Sequence, residues 1–231
     1  MRTKNSFINI AVSFMSYAII MVGSFVVRKI LSQGSGLEIV GLTETFTDVI
    51  SGISIIELGL GIGIVYKLYK PIVEKDWEQI SVVLCFVKKC YRIILLSIII
   101  LGFLSVYFVV SPIESELSKL YLAKIFILYI IDSVASYFYY YKRVMFIADQ
   151  KNYVNNVAHL IAQIIMIVFQ IIVLKLSIPF EAYVICTIGS KLIENFIISY
   201  NFDRRYKNIN LNTTNRMQEI EKKDVFVKMR A

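Results

Sequence analysis

Six long apolar runs constrain this chain more than any other feature of its sequence. A helix that crosses a bilayer needs about 20 mostly apolar residues, because no water is present there to satisfy open backbone groups. Such runs cover about 7–31, 39–66, 83–110, 120–141, 154–174 and 180–200. Composition points the same way: 57% of the 231 residues are apolar and the mean hydropathy is +0.66, above the range of ordinary soluble domains. The expected fold is an all-α polytopic membrane protein, with a six-helix unit over 1–200 and a basic tail over 201–231. Arg2 and Lys4 precede the first run as they would in a secretory signal. That run is too long for a signal core and no small-x-small site closes it, so it reads as a retained helix.

The net charge of +8 acquires meaning from where the cations fall. With the N-terminus inside, 19 of the 25 Lys and Arg residues lie in cytoplasmic segments, the distribution that sets orientation in membrane proteins. Both termini are then expected in the cytoplasm. The basic balance is explained by topology, which leaves no surplus patch for nucleic acid. In the tail, Arg216 to Ala231 fits either a short amphipathic helix at the membrane surface, with Met217, Ile220 and Val227 towards one side, or a disordered basic segment.

Covalent and metal chemistry find little support. Three cysteines, Cys85, Cys90 and Cys186, form no disulfide framework or metal-ligand spacing, and His159 is the one histidine. No nucleophile elbow, zinc-protease helix or P-loop is present. Gly59, Gly61 and Gly63 follow Glu57 without a preceding strand, and read as close-packing or bending positions. The expectation is a protein that is not an enzyme and needs no cofactor or metal.

Polar residues inside the spans are the functional signal, because they are costly at membrane depth and usually face a bundle interior or a hydrated cavity. At about 100° per residue, Asn155, Asn156, His159, Gln163 and Gln170 share one face of the fifth span. Asn9, Ser13, Ser16, Tyr17, Ser24 and Arg28 align on the first. Glu44, Thr47, Asp48, Ser51 and Ser54 align on the second, and Tyr121, Tyr129, Asp132, Ser136, Tyr139 and Arg143 on the fourth. On the sixth, Tyr183, Thr187, Lys191 and Glu194 lie together, the last two spaced to pair. Five such stripes imply one hydrated cavity of mixed sign. Tyr137, Tyr139, Tyr140 and Tyr141 read as an inner aromatic belt.

The residues also carry a family likeness. The opening RTKNSFINIAVSFMSYAIIMVGSFVVRKIL, the ELGLG around Glu57, LYKP at Lys70 and Pro71, and IADQKNY from Ile147 to Tyr153 resemble the N-terminal half of the bacterial polysaccharide transporters. These are lipid-linked oligosaccharide flippases of the Wzx type, within the multidrug/oligosaccharidyl-lipid/polysaccharide exporter superfamily. The resemblance implies one lobe of a two-lobe fold in the bacterial cytoplasmic membrane, with the tail leading into a seventh helix. It implies undecaprenyl-diphosphate-linked oligosaccharide as cargo, with Arg28 near the diphosphate. A second half-transporter chain or a second copy is the implied protein partner. Arg28, Glu57, Asp132, His159, Gln163, Lys191 and Glu194 are the candidate substrate-contacting residues. A drug or cation exporter of the same superfamily and a non-transporting membrane remnant are the competing readings.

The topology has a direct check. A reporter active only in the periplasm, fused after Ala231, is expected to stay silent; strong activity there would require an odd number of crossings.

Overall fold

The computed structural model describes residues 2–34, 36–57 and 60–211, with side chains over 8–34, 36–55 and 63–211. The tail from Arg216 to Ala231, the side chain of Glu57 and the backbone at Gly59 lie outside the described residues. Every regular element among the described residues is helical: α1 (Arg2–Gly34), α2 (Gly36–Ile53), a single 3₁₀ turn (Ser54–Glu57), α3 (Leu60–Glu74), α4 (Trp77–Val110), α5 (Lys119–Tyr137), α6 (Tyr140–Ala148), α7 (Tyr153–Lys175) and α8 (Phe180–Arg205). Five of them, α1, α4, α5, α7 and α8, are long and apolar enough to cross a membrane.

The second apolar run is divided into two helices. α2 carries three acids, Glu38, Glu44 and Asp48, and the run is interrupted at the 3₁₀ turn just ahead of the glycines. The two pieces take different main partners: α2 packs chiefly on α1 and α5, and α3 on α4 and α6. The fourth run is also broken. It ends at Tyr137, and Phe138 and Tyr139 form a turn before α6 begins. At about 1.5 Å per residue, the 34 residues of α4 extend about 51 Å, well beyond the roughly 30 Å of a hydrocarbon core. Its extra turns carry Lys88, Lys89 and Arg92.

Helix ends show how the breaks are stabilised. Asp76 accepts a bond from the Gln79 amide at 2.9 Å and Ser118 one from Tyr121 at 3.2 Å, satisfying first-turn donors of α4 and α5. Lys75, Gln150 and Ser177 adopt φ of 56°, 56° and 52° just past α3, α6 and α7. In each case the next amide reaches back five residues: Asp76 to Pro71, Lys151 to Phe146 and Ile178 to Val173. These are Schellman caps built without glycine, so each carries the left-handed penalty of about 1 kcal/mol.

Two apolar clusters fill the bundle. One joins Phe46 and Ile50 of α2 to Phe126, Tyr129 and Ile130 of α5 and Val184 of α8. The other, towards the basic loops, joins Leu68 of α3, Leu84, Tyr91 and Ile98 of α4, Met145 and Phe146 of α6, and Phe202 of α8. Tyr137 and Tyr141 are buried within it, and Tyr91 stacks on Tyr140 at 4.4 Å and on Tyr137 at 6.2 Å. These rings are therefore core residues more than an interfacial belt; among the four, Tyr139 remains exposed at 38%. Large apolar side chains of α1 and α4, including Phe14, Met21, Phe25, Ile100, Phe103 and Leu104, face outward, as lipid-facing surfaces require.

Gly102 permits the close approach of α4 to α5: a Cβ at that position falls 3.0 Å from Ile130 Cγ2. Gly102→Val is expected to destabilise the bundle by about 1–3 kcal/mol through overpacking, and Ile130→Ala in the same chain to recover part of the loss. Thermal unfolding of the detergent-solubilised protein checks both.

Candidate functional site

A cavity of about 500 Å³ opens between α2, α5 and α8. Thr43, Thr47, Ser51 and Ser54 line it from α2 and the turn that follows. Tyr129, Asp132, Ser133, Ser136 and Tyr137 line it from α5, and Tyr183, Thr187 and Lys191 from α8. Tyr129, Ser133 and Tyr137 are buried at its floor, while Thr47, Ser51 and Ile55 are exposed at its mouth. Helical periodicity explains the convergence. Thr43, Thr47, Ser51 and Ser54 recur at three- or four-residue intervals on one face of α2, as do Tyr129, Asp132 and Ser136 on α5 and Tyr183, Thr187 and Lys191 on α8. Asp132 and Lys191 are the formally charged members of this lining among the described residues.

The hydroxyl groups are held in a common way. Thr43 donates to Ile39 O at 2.8 Å, Thr47 to Thr43 O at 2.7 Å, Ser54 to Ile50 O at 2.9 Å, Ser136 to Ser133 O at 2.7 Å and Thr187 to Val184 O at 2.7 Å. Each is a bond to a carbonyl of the preceding turn, the usual device for holding Ser and Thr inside helices. Asp132 Oδ1 is shielded from solvent and has no hydrogen-bond partner.

A second polar group lies one turn further along α8. Glu194 is 2% exposed and binds Arg143 Nη1 of α6 at 2.6 Å and His159 Nδ1 of α7 at 3.2 Å. Asn195, equally buried, accepts from Arg143 Nη2 at 2.9 Å and donates to Ala135 O of α5 at 2.6 Å. Asn155 of α7 donates to Arg143 O at 3.2 Å. Helices α5, α6, α7 and α8 are thus joined by one interior carboxylate and two amides. The pairing of Glu194 with Lys191 expected from their spacing does not form. Glu194 turns to Arg143 and His159, and Lys191 faces the cavity.

The structure separates residues that sequence placed in one site. The stripe on α7 is largely committed to neighbouring helices: Asn156 donates to Ser13 of α1 at 2.6 Å and His159 meets Glu194. Gln163 is buried, at 8% exposure, and is not among the cavity-lining residues. The stripe on α1 is similarly engaged, with Asn9 donating to Gln150 O at 3.2 Å and accepting from the Tyr153 amide at 2.7 Å. Arg28 is paired with Glu44 of α2, and both side chains remain more than half exposed. It does not line the cavity. Of the seven candidate residues, Asp132 and Lys191 reach the cavity, and His159 and Glu194 belong to the clamp beneath it. Thr43, Ser133 and Tyr137 are cavity residues that stripe counting missed; Thr43 lies just ahead of the Glu44-to-Ser54 stripe, four residues before Thr47.

The loop side is pinned by a third set of pairs. Lys142 Nζ lies 2.7 Å from Asp203 and 2.7 Å from Ser199. Asp149 accepts from Lys151 at 2.6 Å and from the Tyr206 hydroxyl at 2.7 Å. Burial and the Asp149 carboxylate push the Tyr206 hydroxyl well above the ordinary phenol range, so it stays protonated as a donor. No group of three or more His, Cys, Asp or Glu side chains among the described residues is arranged to hold a metal ion. No family model, curated protein or solved structure matches this chain.

Removing one member of a buried ion pair leaves the other uncompensated, which costs about 3–5 kcal/mol, whereas an exposed pair contributes about 0–1 kcal/mol. Glu194→Ala is therefore expected to lower the unfolding temperature far more than Glu44→Ala, whose partner Arg28 is exposed. Parallel melts of the two variants measure the difference.

Proposed function

We propose that this chain is a helical lobe of a bacterial inner-membrane transporter that moves undecaprenyl-diphosphate-linked oligosaccharide from the cytoplasmic to the outer leaflet. The observation that carries the reading is a hydroxyl-lined cavity between α2 and the membrane-length helices α5 and α8. A packed membrane scaffold has no use for a space of that size holding both a carboxylate and an ammonium group. The likeness of the ELGLG, LYKP and IADQKNY segments to polysaccharide flippases supplies the cargo class.

The work divides between two regions. Asp132 and Lys191 hold the glycan in the cavity, while the lipid diphosphate meets cations outside it. Arg28 suits that task, because its guanidinium offers a fixed fork of donors for phosphate oxygens. Its pairing with Glu44 is exposed and thus exchangeable. Alternating access needs a second helical unit against which this one rocks, supplied by another chain or another copy. The termini lie in the cytoplasm, with the basic loops.

Complementation of a flippase-deficient strain tests the reading. Residues 1–231 alone are expected to insert but not restore surface glycan, and co-expression with a matching C-terminal half to restore it. In that context Asp132→Asn and Arg28→Ala are each expected to reduce export at least tenfold. Full export by Asp132→Asn would remove the cavity from the transport path.

A further inference from the structure

The hydrogen-bond state of the cavity wall specifies the kind of ligand it takes. Five hydroxyls there, on Thr43, Thr47, Ser54, Ser136 and Thr187, spend their hydrogens on carbonyls of their own helices. A hydroxyl has one donor and two acceptor lone pairs. With the donor committed, each such group can meet a ligand only as an acceptor. Asp132, which also lines the cavity, adds a carboxylate, and a carboxylate only accepts. The wall therefore offers five hydroxyl oxygens as acceptors beside the Asp132 carboxylate, and the remaining hydroxyls of Ser51, Ser133 and the lining tyrosines, with Lys191 Nζ, as donors.

An anion such as phosphate or a uronate carboxylate can make no use of the five oxygens whose hydrogens are committed, and it meets the Asp132 charge. A bare alkali cation would satisfy the oxygens but not the volume, since about 500 Å³ is within the range of small-molecule sites. It would also meet the Lys191 ammonium. A neutral polyol fits on each count: its hydroxyls donate to Asp132 and the Thr and Ser oxygens, and one oxygen accepts from Lys191. The partly exposed ring of Tyr183 supplies an aromatic surface on which the C–H face of a pyranose can lie.

We propose that the cavity between α2, α5 and α8 is a binding site for one or two uncharged pyranose units, and that it excludes acidic sugars and phosphate. This rests on the export reading and sharpens it: the glycan portion that enters here is neutral, and the anionic carrier headgroup stays outside.

The test uses the full chain in nanodiscs, free of sugar-headed detergent, with saturation-transfer NMR and competition titrations. Maltose is the neutral probe; glucuronate, inorganic pyrophosphate and sodium chloride are the competitors. Maltose is expected to bind saturably. Glucuronate and pyrophosphate should compete at least tenfold less well than unlabelled maltose, and sodium at constant ionic strength should not compete. Asp132→Asn, which preserves shape but weakens the acceptor, should reduce maltose affinity about tenfold, and Lys191→Gln by a smaller factor. Circular dichroism and gel filtration establish that both variants are folded, and Thr187→Val provides a second, uncharged probe of the wall. The inference is overturned if no maltose binding is seen, if either anion binds more tightly than maltose, if sodium displaces it, or if affinity is unchanged in all three variants. Asp132-dependent maltose binding with failed complementation would leave the site standing and remove the export reading. Restored export with tighter glucuronate binding would do the reverse.

Discussion

Polar groups taken out of water must find partners inside the chain, and in a bundle of apolar helices that requirement decides the architecture. Glu194 shows it most directly. Its carboxylate is buried almost completely and is held by Arg143 from α6 and His159 from α7, so three helices must meet at one depth and in one rotation. Asn195 extends the requirement to α5 through Ala135 O. Apolar contacts are non-directional and allow helices to slide or rotate with little penalty. A buried ion pair with its amide supports does not, and the register of the bundle follows from it.

The polar side chains then divide into two kinds. Those on α1 and α7 answer one another or the nearby loop, through Asn156 to Ser13 and Asn9 to Gln150 and Tyr153. They serve cohesion. The cavity-facing Ser and Thr hydroxyls of α2, α5 and α8 bond back to their own helices and leave a space among them. They provide a surface. The division follows from the neighbours: α1 and α7 are in tight contact, whereas α2, bent at Ser54 and packed lightly on α5, leaves a gap at its Thr47 and Ser51 face.

Much of this was readable from the residues, at different levels. Apolar length gives helical spans because it depends only on local composition. The break within the second run was signalled by its three acids and glycines, though not its position. The stop after Tyr137 has no comparable signal: no proline or glycine stands there, and the turn is held by Asn195 from a distant part of the chain. The αL ends at Lys75, Gln150 and Ser177 were hidden for the same reason, since glycine is the usual cue. Periodicity identified the faces bearing Asp132, Lys191, His159 and Glu194. It does not say which face meets which, so the cavity and the clamp merged into a single predicted site. Arg143, the last member of the fourth stripe, is the clamp member whose importance emerges only with its partner.

The turn at Phe138 and Tyr139 has a mechanical meaning. Interrupting a helix frees carbonyls, and one of them, on Ala135, is taken by Asn195, which also holds Arg143 on the far side of the interruption. The angle between α5 and α6 is therefore set from α8 rather than by the backbone of α5 itself. Any tilt of α8 would swing α6, and with it the basic loop through Lys151, as a crank turns about its pin.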